Sequence, residues 1–358
     1  MLHLNKITLT QFKNYKTSSF TFNERVTGIC GLNGKGKTNL LDAIYYLCFT
    51  KSYFSKTDAL NVLFNEDGFR LEGSLSHSDS YRNSRGEGFT ENFNVVSIFR
   101  GAGKKEVLVN DVAYEKFSSH IGKFPCVMIA PDDIELITGG SEHRRRFIDT
   151  VLSQMDAIYL QQLILYNKIL LQRNSLLKSF SDQKNRDMQL LQVLDEQLIH
   201  PGKEINKMRK IFLSNLIPLA KKFYLQIAHN NEVIDLEYES QLSENNFEEL
   251  LERSRDRDMA SQRSNVGVHK DDLVMQLNGK LFKSVASQGQ KKSMLFALKL
   301  AEFELLKKNK GFAPLLLLDD VFEKLDDLRM QNLLQWVCLN NESLCLLPTR
   351  IWKGFKPR

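Results

Sequence analysis

The sequence predicts an α/β fold interrupted by an all-helical insertion. Three observations carry that prediction. A glycine-rich stretch, Gly31-Leu32-Asn33-Gly34-Lys35-Gly36-Lys37-Thr38, stands between an apolar, β-prone run (Val26 to Cys30) and a helix-like run (Asn39 to Phe49). Far downstream, Leu315-Leu316-Leu317-Leu318 runs into Asp319-Asp320, the pattern of a fully buried strand ending in acid. Between the two, Arg144 to Ile227 carries apolar residues at i, i+3 and i+4. The order is α/β, then helices, then α/β again. It predicts a head made of residues 1–135 and 266–358 and a helical lobe at 136–265.

Taken in order, Leu4 to Thr10 alternates apolar and polar residues as a half-buried strand does, Gln11 to Lys16 is a polar turn, and Ser19 to Asn23 reads as a returning strand. Leu40, Leu41, Ile44, Tyr45 and Leu47 fall at helical spacing. Ser76 to Glu91, rich in Ser, Gly, Asn and charge, predicts an exposed loop. Val95 to Arg100 and Glu106 to Val109 predict strands, with Asn110-Asp111 as a hairpin turn, and Phe124 to Ala130 a buried strand. The periodic region divides into Arg144 to Phe180, Met188 to Ile199 and Glu204 to Ile227, with Pro201-Gly202 expected to separate the last two. Ile234, Leu236 and Tyr238 signal a strand, and Asn245 to Asp258 a charged helix. Leu273 to Lys283 around Asn278-Gly279 predicts a hairpin, and Ser293 to Lys307 an amphipathic helix.

Composition narrows the class. The chain has 358 residues, 42% hydrophobic and 26% charged, an ordinary globular profile. A net charge of +6 suits a nucleic-acid partner without requiring one. Cys30, Cys48, Cys126, Cys338 and Cys345 form no C-x-x-C pair, so they read as reduced thiols of a cytoplasmic protein rather than a disulfide framework or zinc site. No run is long enough to span a membrane, and the N-terminus lacks a signal-peptide pattern.

Gly31 to Thr38 fits G-x-x-x-x-G-K-[ST], and its strand–loop–helix context is the one the motif requires. The glycines let backbone N–H groups turn onto phosphate oxygens, and the helix that begins near Asn39 points its positive end at the same charge. Lys37 would reach the β- and γ-phosphates of ATP, and Thr38 would hold Mg²⁺. The plain alternative is a glycine-rich turn with a surface lysine. Asp319, at the end of its strand, would hold Mg²⁺ directly or through water, and Asp320 would orient or deprotonate the attacking water. The alternative there is a solvated acidic turn. Ser287-Gln288-Gly289-Gln290 is a polar segment with a central glycine at a helix N-terminus, about 30 residues before the acidic strand. It reads as a further anion site or as a simple helix cap.

With all three sites in this order, the chain resembles the RecF family of the ABC/SMC superfamily over most of its length. Leu9 to Tyr15 is similar to the family's N-terminal turn, and Asn33 to Leu47 to its P-loop and helix. Ala130-Pro131-Asp132-Asp133, Gly139 and Arg144 to Asp149 are similar to segments highly specific to it, as are Gly267 to Leu273 and Ala286 to Ser293. The resemblance implies an ABC-type ATPase head. In it, Ser287 to Gln290 completes the γ-phosphate site of a second copy, Asp320 takes the catalytic carboxylate role, and ATP drives a homodimer switch with slow hydrolysis. It also implies sequence-independent binding to single-stranded and gapped duplex DNA, and cooperation with RecR and RecO mediators in loading the strand-exchange recombinase.

The DNA-binding candidates are Arg144, Arg145 and Arg146. Successive helical residues point about 100° apart, so one toward DNA and one into an internal ion pair is the expected division. Lys104-Lys105, Lys221-Lys222 and Lys291-Lys292 are weaker candidates. His269 is either a polar contact near the nucleotide or dimer interface, or a hydrogen-bonded structural histidine. Two departures from the family stand out. Glu323-Lys324-Leu325-Asp326 replaces the usual Ser-Glu-Leu-Asp. Ser343 to Phe355 lacks the closing strand and threonine-rich switch, although codons exist for it that give a family-like switch in another frame. A frameshift near residue 343, which resequencing the gene would settle, carries the expectation that the last strand and switch are missing. The rival functions are a P-loop small-molecule kinase, another ABC-type ATPase subunit, and an architectural protein with long coiled-coil arms. Ser287 to Gln290 counts against the first, and the short, interrupted helices count against the last.

Overall fold

The computed structural model describes residues 1–32, 34–82, 88–101, 103–180, 186–228, 232–320, 331–332, 335–336 and 345–348. By packing, the chain parts into two compact units, Met1–Asp133 with Glu302–Arg358, and Ile134–Ala301. The sequence draws its boundaries by motif, at 135 and 266; packing draws the second one within the helix that follows Ser287, at 301.

The first unit opens with β1 (Leu2–Phe12), β2 (Tyr15–Thr21), β3 (Val26–Ile29), α1 (Lys37–Phe49), β4 (Gly68–Arg82), β5 (Gly88–Arg100), β6 (Lys104–Val109), β7 (Val112–Ala113) and β8 (Cys126–Ile129). β2-β1-β4-β5-β6-β7 form one antiparallel sheet. Of the expected loop at Ser76 to Glu91, the flanks are instead the paired ends of β4 and β5, with His77 opposite Glu91 and Ser78 opposite Thr90, while residues 83–87 lie outside the described residues. Ladder bonds are made by the backbone, so a polar stretch forms strand wherever a neighbour supplies partners, and composition alone misreads it. Asn110 and Asp111 both take positive φ (50° and 64°), as a two-residue hairpin turn demands.

The second unit runs α2 (Glu135–Thr138), α3 (Ser141–Met155), α4 (Ala157–Ser179), α5 (Met188–Ala228), β9 (Ile234–Glu239), α6 (Phe247–Ser261), β10 (Asp272–Leu277), β11 (Lys280–Leu281), α7 (Phe282–Val285) and the start of α8 (Gln288–Lys310), whose residues from Glu302 onward belong to the first unit. The helical stretch from Arg144 breaks at Asp156, whose carboxylate caps α4 through the amides of Ile158 (2.7 Å) and Tyr159 (3.3 Å). Pro201-Gly202 does not separate two helices: α5 continues through it for 41 residues. The buried stripe Leu191, Leu194, Leu198, Ile205, Phe212, Leu213 and Leu216 runs unbroken past the proline, and its burial outweighs the roughly 3 kcal/mol that an interior proline costs. Gly202 is there for space, since a Cβ would lie 2.5 Å from the Phe247 ring. The unit is not wholly helical either, because β11-β10-β9 form an antiparallel sheet.

Two fully buried arginines organise this unit. Arg173 on α4 pairs with Asp195 on α5 (2.6 Å) and Asp258 on α6 (2.7 Å). Arg209 on α5 pairs with Asp149 on α3 (2.7 Å) and Asp271 (2.8 Å), and donates to the carbonyl of Val268 (2.7 Å). Each supplies a planar fork that satisfies carboxylates from several elements at once.

The chain then returns to the first unit with β12 (Leu315–Leu318) and β13 (Cys345–Pro348). β3-β13-β12-β8 form a parallel sheet, every strand of which is short. The last strand is therefore present: β13 lies between β3 and β12, correcting the expectation that it is missing. Parallel pairing is made by backbone groups, so a short run that departs from the family's sequence can still fill this slot. Ser343, Leu344 and residues 349–358, with the expected switch, lie outside the described residues, as do Asn33, Cys338 and Glu323 to Asp326. Helix α1 contacts strands of both sheets, and ten of its thirteen residues are buried. One apolar cluster joins it to β1, β4, β5, β8 and β12. Among the described residues, no helix is long and apolar enough to cross a membrane.

Candidate functional site

The first unit brings together Gly31, Leu32, Gly34 to Asn39, Asp319 and Asp320, while the predicted nucleotide contact Asn33 lies outside the described residues. Gly34 (φ 76°) and Gly36 (φ 96°) hold left-handed conformations that let the loop close onto α1. No side chain caps α1, so its first amides, at Lys37, Thr38 and Asn39, are left to an anion. Lys37 Nζ donates to the carbonyls of Gly31 (2.9 Å) and Leu32 (3.2 Å), spanning the loop. Gly34, Gly36, Lys37, Thr38, Asn39 and Asp320 line a cavity of about 220 Å³.

Thr38 Oγ1 lies 2.9 and 3.0 Å from the two carboxylate oxygens of Asp319, a contact across 281 residues of sequence. The strand β12 delivers that carboxylate: its four leucines are buried, and the Asp319 amide is anchored on the Ile129 carbonyl of β8 at 2.8 Å. Asp319 is itself only 4% exposed. Burial pushes its carboxyl up to about 6, with the negative charges of Asp320 and Asp132 adding to the effect, and the Thr38 hydrogen bond and Lys37 opposing it. A hydroxyl and a buried carboxylate side by side beside a phosphate cradle are the donor set Mg²⁺ takes in such sites, so the residues present fit the ion. Asp320 takes φ 41°, a left-handed turn tolerated by Asp, which sets it in the cavity wall beside Asp319.

The turn between β1 and β2 supports this loop, a role the sequence left unassigned. The Tyr15 hydroxyl donates to the Gly36 carbonyl (3.0 Å), and Asn39 Nδ2 donates to Asn14 Oδ1 (2.7 Å). A Cβ at Gly36 would lie 2.6 Å from Asn14 Nδ2 and 2.9 Å from Tyr15 Cζ, so this glycine is required for contact as well as for φ. Next door, Lys13 pairs with Asp42 of α1 (2.5 Å), whose carboxylate also accepts from Ser52 Oγ and the Tyr53 amide, both at 2.7 Å. The available signal was an aspartate within an otherwise apolar helix face. The family-like Ala130 to Asp133 segment is also structural in part: Asp133 accepts from the Ala130 amide (2.8 Å) and from the Tyr53 hydroxyl.

The remaining candidates belong to the second unit. Ser287 and Gln290 close a reciprocal capping box at the start of α8, which begins at Gln288 and not near Ser293. Arg144 is 7% exposed and bonds both oxygens of Asp272 (2.6 and 3.0 Å) and the Gly139 carbonyl (3.0 Å), so it is an internal residue and not a DNA contact. Arg145 is half-buried and donates to the Asp271 carbonyl (2.7 Å). Arg146 is exposed and meets only the i−4 carboxylate of Glu142 (3.2 Å) among the contacts described. Of the weaker candidates, Lys221 pairs with Asp235 (2.7 Å), and Lys105, in the first unit, with Asp58 (3.0 Å). His269 is structural: its Nδ1 accepts from the Tyr166 hydroxyl (2.8 Å), its Nε2 donates to the Ser264 carbonyl (3.1 Å), and burial lowers it to about 4. Among the described residues, no cluster of three or more His, Cys, Asp or Glu side chains stands ready for a metal.

Fold and site together define an ABC/SMC-type P-loop ATPase head. The likeness in fold extends to the Smc head domain of Pyrococcus furiosus (TM-score 0.54, 16% identity, 98% of this chain and 90% of that one). The family model described as RecF/RecN/SMC N terminal domain matches residues 3–347. The DNA replication and repair protein RecF of Flavobacterium johnsoniae is 42% identical, covering 94% of this chain and 90% of that protein; that of Cytophaga hutchinsonii is 40% identical, covering 94% and 86%. The solved recombination mediator protein RecF-ATP of the RecFOR pathway superposes with a TM-score of 0.88 at 30% identity, over 99% of this chain and 94% of that one. The chain belongs to the RecF family.

Proposed function

We propose that this chain is an ATP-driven dimer switch on DNA, acting in recombinational gap repair and at replication forks. It is an ATP-binding protein of DNA replication and repair. The observation that carries the reading is the Thr38–Asp319 contact, which closes the phosphate cradle against the acidic strand with Asp320 in the same cavity wall. Lys37 and the α1 amides would bind the β- and γ-phosphates of ATP, Thr38 and Asp319 would hold Mg²⁺, and Asp320 would orient the attacking water. The ion supplies charge neutralisation at the transferred phosphoryl group.

Ser287 to Gln290 is read as the contact that one copy makes to the nucleotide of its partner, so ATP is sandwiched between two chains. DNA favours the closed dimer and slow hydrolysis opens it. The ligand is single-stranded and gapped duplex DNA, bound through its phosphates. RecR- and RecO-type mediators are the partners, and the cytoplasm is the compartment. A small-molecule kinase is not favoured, because such an enzyme works as a monomer and has no use for the Ser287 segment.

Sedimentation with ATP, with and without gapped DNA, tests the switch. A dimer that forms with ATP and is favoured by DNA is expected; a monomer under every condition overturns it.

A further inference from the structure

The segment Ser287 to Gln290 is held by more than its own capping box. The Gln290 amide donates to Ser287 Oγ (3.2 Å), and the Ser287 amide donates to Gln290 Oε1 (2.6 Å). The other end of the Gln290 side chain, Nε2, donates to Glu232 Oε1 at 2.8 Å. The second oxygen of Glu232 accepts from the Tyr224 hydroxyl at 2.5 Å. Tyr224 is wholly buried near the end of α5, edge-on to Phe282 of α7 (6.1 Å, 81°), the short helix that leads into the segment.

This arrangement fixes the sense of the Gln290 amide. A side-chain amide has one acceptor end and one donor end. The Glu232 carboxylate accepts only, so it selects the orientation with Nε2 toward itself and Oε1 on the Ser287 amide. The flipped amide would set oxygen against oxygen at Glu232 and N–H against N–H at Ser287. Ser287 Oγ serves the box as an acceptor, which leaves its proton to donate outward. Glu232 thereby favours the amide orientation that closes the cap and leaves the Ser287 hydroxyl proton free of the box.

We propose that Glu232 is a positioning residue for Ser287 to Gln290, and that Tyr224–Glu232–Gln290 is the route by which the end of the long helix α5 sets this segment for the nucleotide of a second copy. The proposal rests on the reading of Ser287 to Gln290 as a contact made in trans. Glu232→Ala should weaken ATP-dependent dimerisation by about tenfold, the scale of losing one charge-assisted hydrogen bond. Binding of a fluorescent ATP analogue to the monomer should stay within about twofold by the same reasoning. Glu232→Gln keeps an acceptor for Gln290 and should restore most of the dimer. Unchanged thermal midpoints for both variants exclude misfolding as the cause.

Mixing differently tagged chains separates a trans role from a cis one. In a Lys37→Ala with Glu232→Ala heterodimer, one site combines an intact P-loop with an intact Ser287 segment. That pair complements if its ATP-dependent association matches that of Lys37→Ala with the unaltered chain, which is expected because in trans the Glu232 change falls on the site that Lys37→Ala has already lost. A parallel mixture of Lys37→Ala with Ser287→Arg tests the underlying reading by the same logic. If the Ser287 pair complements and the Glu232 pair does not, the role of Glu232 is overturned and the trans reading stands. If neither pair complements, the trans reading falls and takes this proposal with it.

Discussion

Thr38 Oγ1 sits within 3.0 Å of both Asp319 oxygens, while Lys37, one residue earlier, spans the loop to two carbonyls. These neighbours have different jobs, and their variants should separate. Lys37→Ala removes the only cation of the cradle's first helical turn and should abolish ATP-dependent dimerisation in sedimentation. Asp320→Asn keeps the shape and removes the carboxylate proposed to orient the attacking water, so the dimer should persist longer on DNA, read as slower dissociation after ATP is removed. Behind the same helix, His120 is fully buried and bonds the Leu47 carbonyl at 2.6 Å. Burial lowers its pKa from 6.5 to about 4, against the backbone hydrogen bond, which acts to raise it. The unfolded chain therefore binds the proton more readily than the folded one in that window. Stability is fully present above pH 6.5 and is lost as pH falls toward 4, by up to about 3 kcal/mol from this group. His120→Gln should flatten that acid slope in thermal melts followed between pH 4 and 7, whatever it does to stability at pH 7.

At the level of elements, α5 is the instructive case. Pro201-Gly202 is a strong stop signal read locally, yet both residues are buried inside one continuous helix. The helix survives because its apolar stripe has partners on both sides of the break, and because Gly202 admits the Phe247 ring. Gly202→Ala pushes a methyl into that ring and should cost about 1–3 kcal/mol in urea unfolding, despite alanine's higher helix propensity. A stabilised variant would show that α6 gives way there. The β4–β5 hairpin teaches the converse: a polar stretch that reads as loop is strand because its backbone is paired. β1, α1, β8 and β12, by contrast, sit where periodicity puts them, since their burial is one-sided or complete and therefore written in their own residues.

For the whole molecule, the net charge of +6 has to be placed before it explains any anion. Arg144 is neutralised internally by Asp272, whereas Arg146 stays exposed beside a single carboxylate. Arg146→Ala is expected to lower the slope of log affinity against log salt for gapped DNA by about one, with folding intact. Arg144→Ala should instead lower the melting temperature, since it strands a carboxylate in the second unit. A binding constant independent of salt would remove phosphate contacts from the account altogether.

The P-loop, the acidic strand and the Ser287 segment were legible in the sequence because each is a local pattern whose spacing is itself the chemistry. Glycines where φ is positive, a lysine and a hydroxyl at the first helical turn, and an acid after four buried residues need no distant partner to be recognised. The resemblance to the RecF family rests on the same local patterns. What only the tertiary structure decided is which polar groups are already committed. Arg144 belongs to Asp272, Tyr15 to Gly36, Gln290 to Glu232, and β13 to the slot between β3 and β12. Those pairings join residues far apart in the chain. Their free energy depends on burial and on the geometry of both partners, and neither is encoded at one position of a sequence.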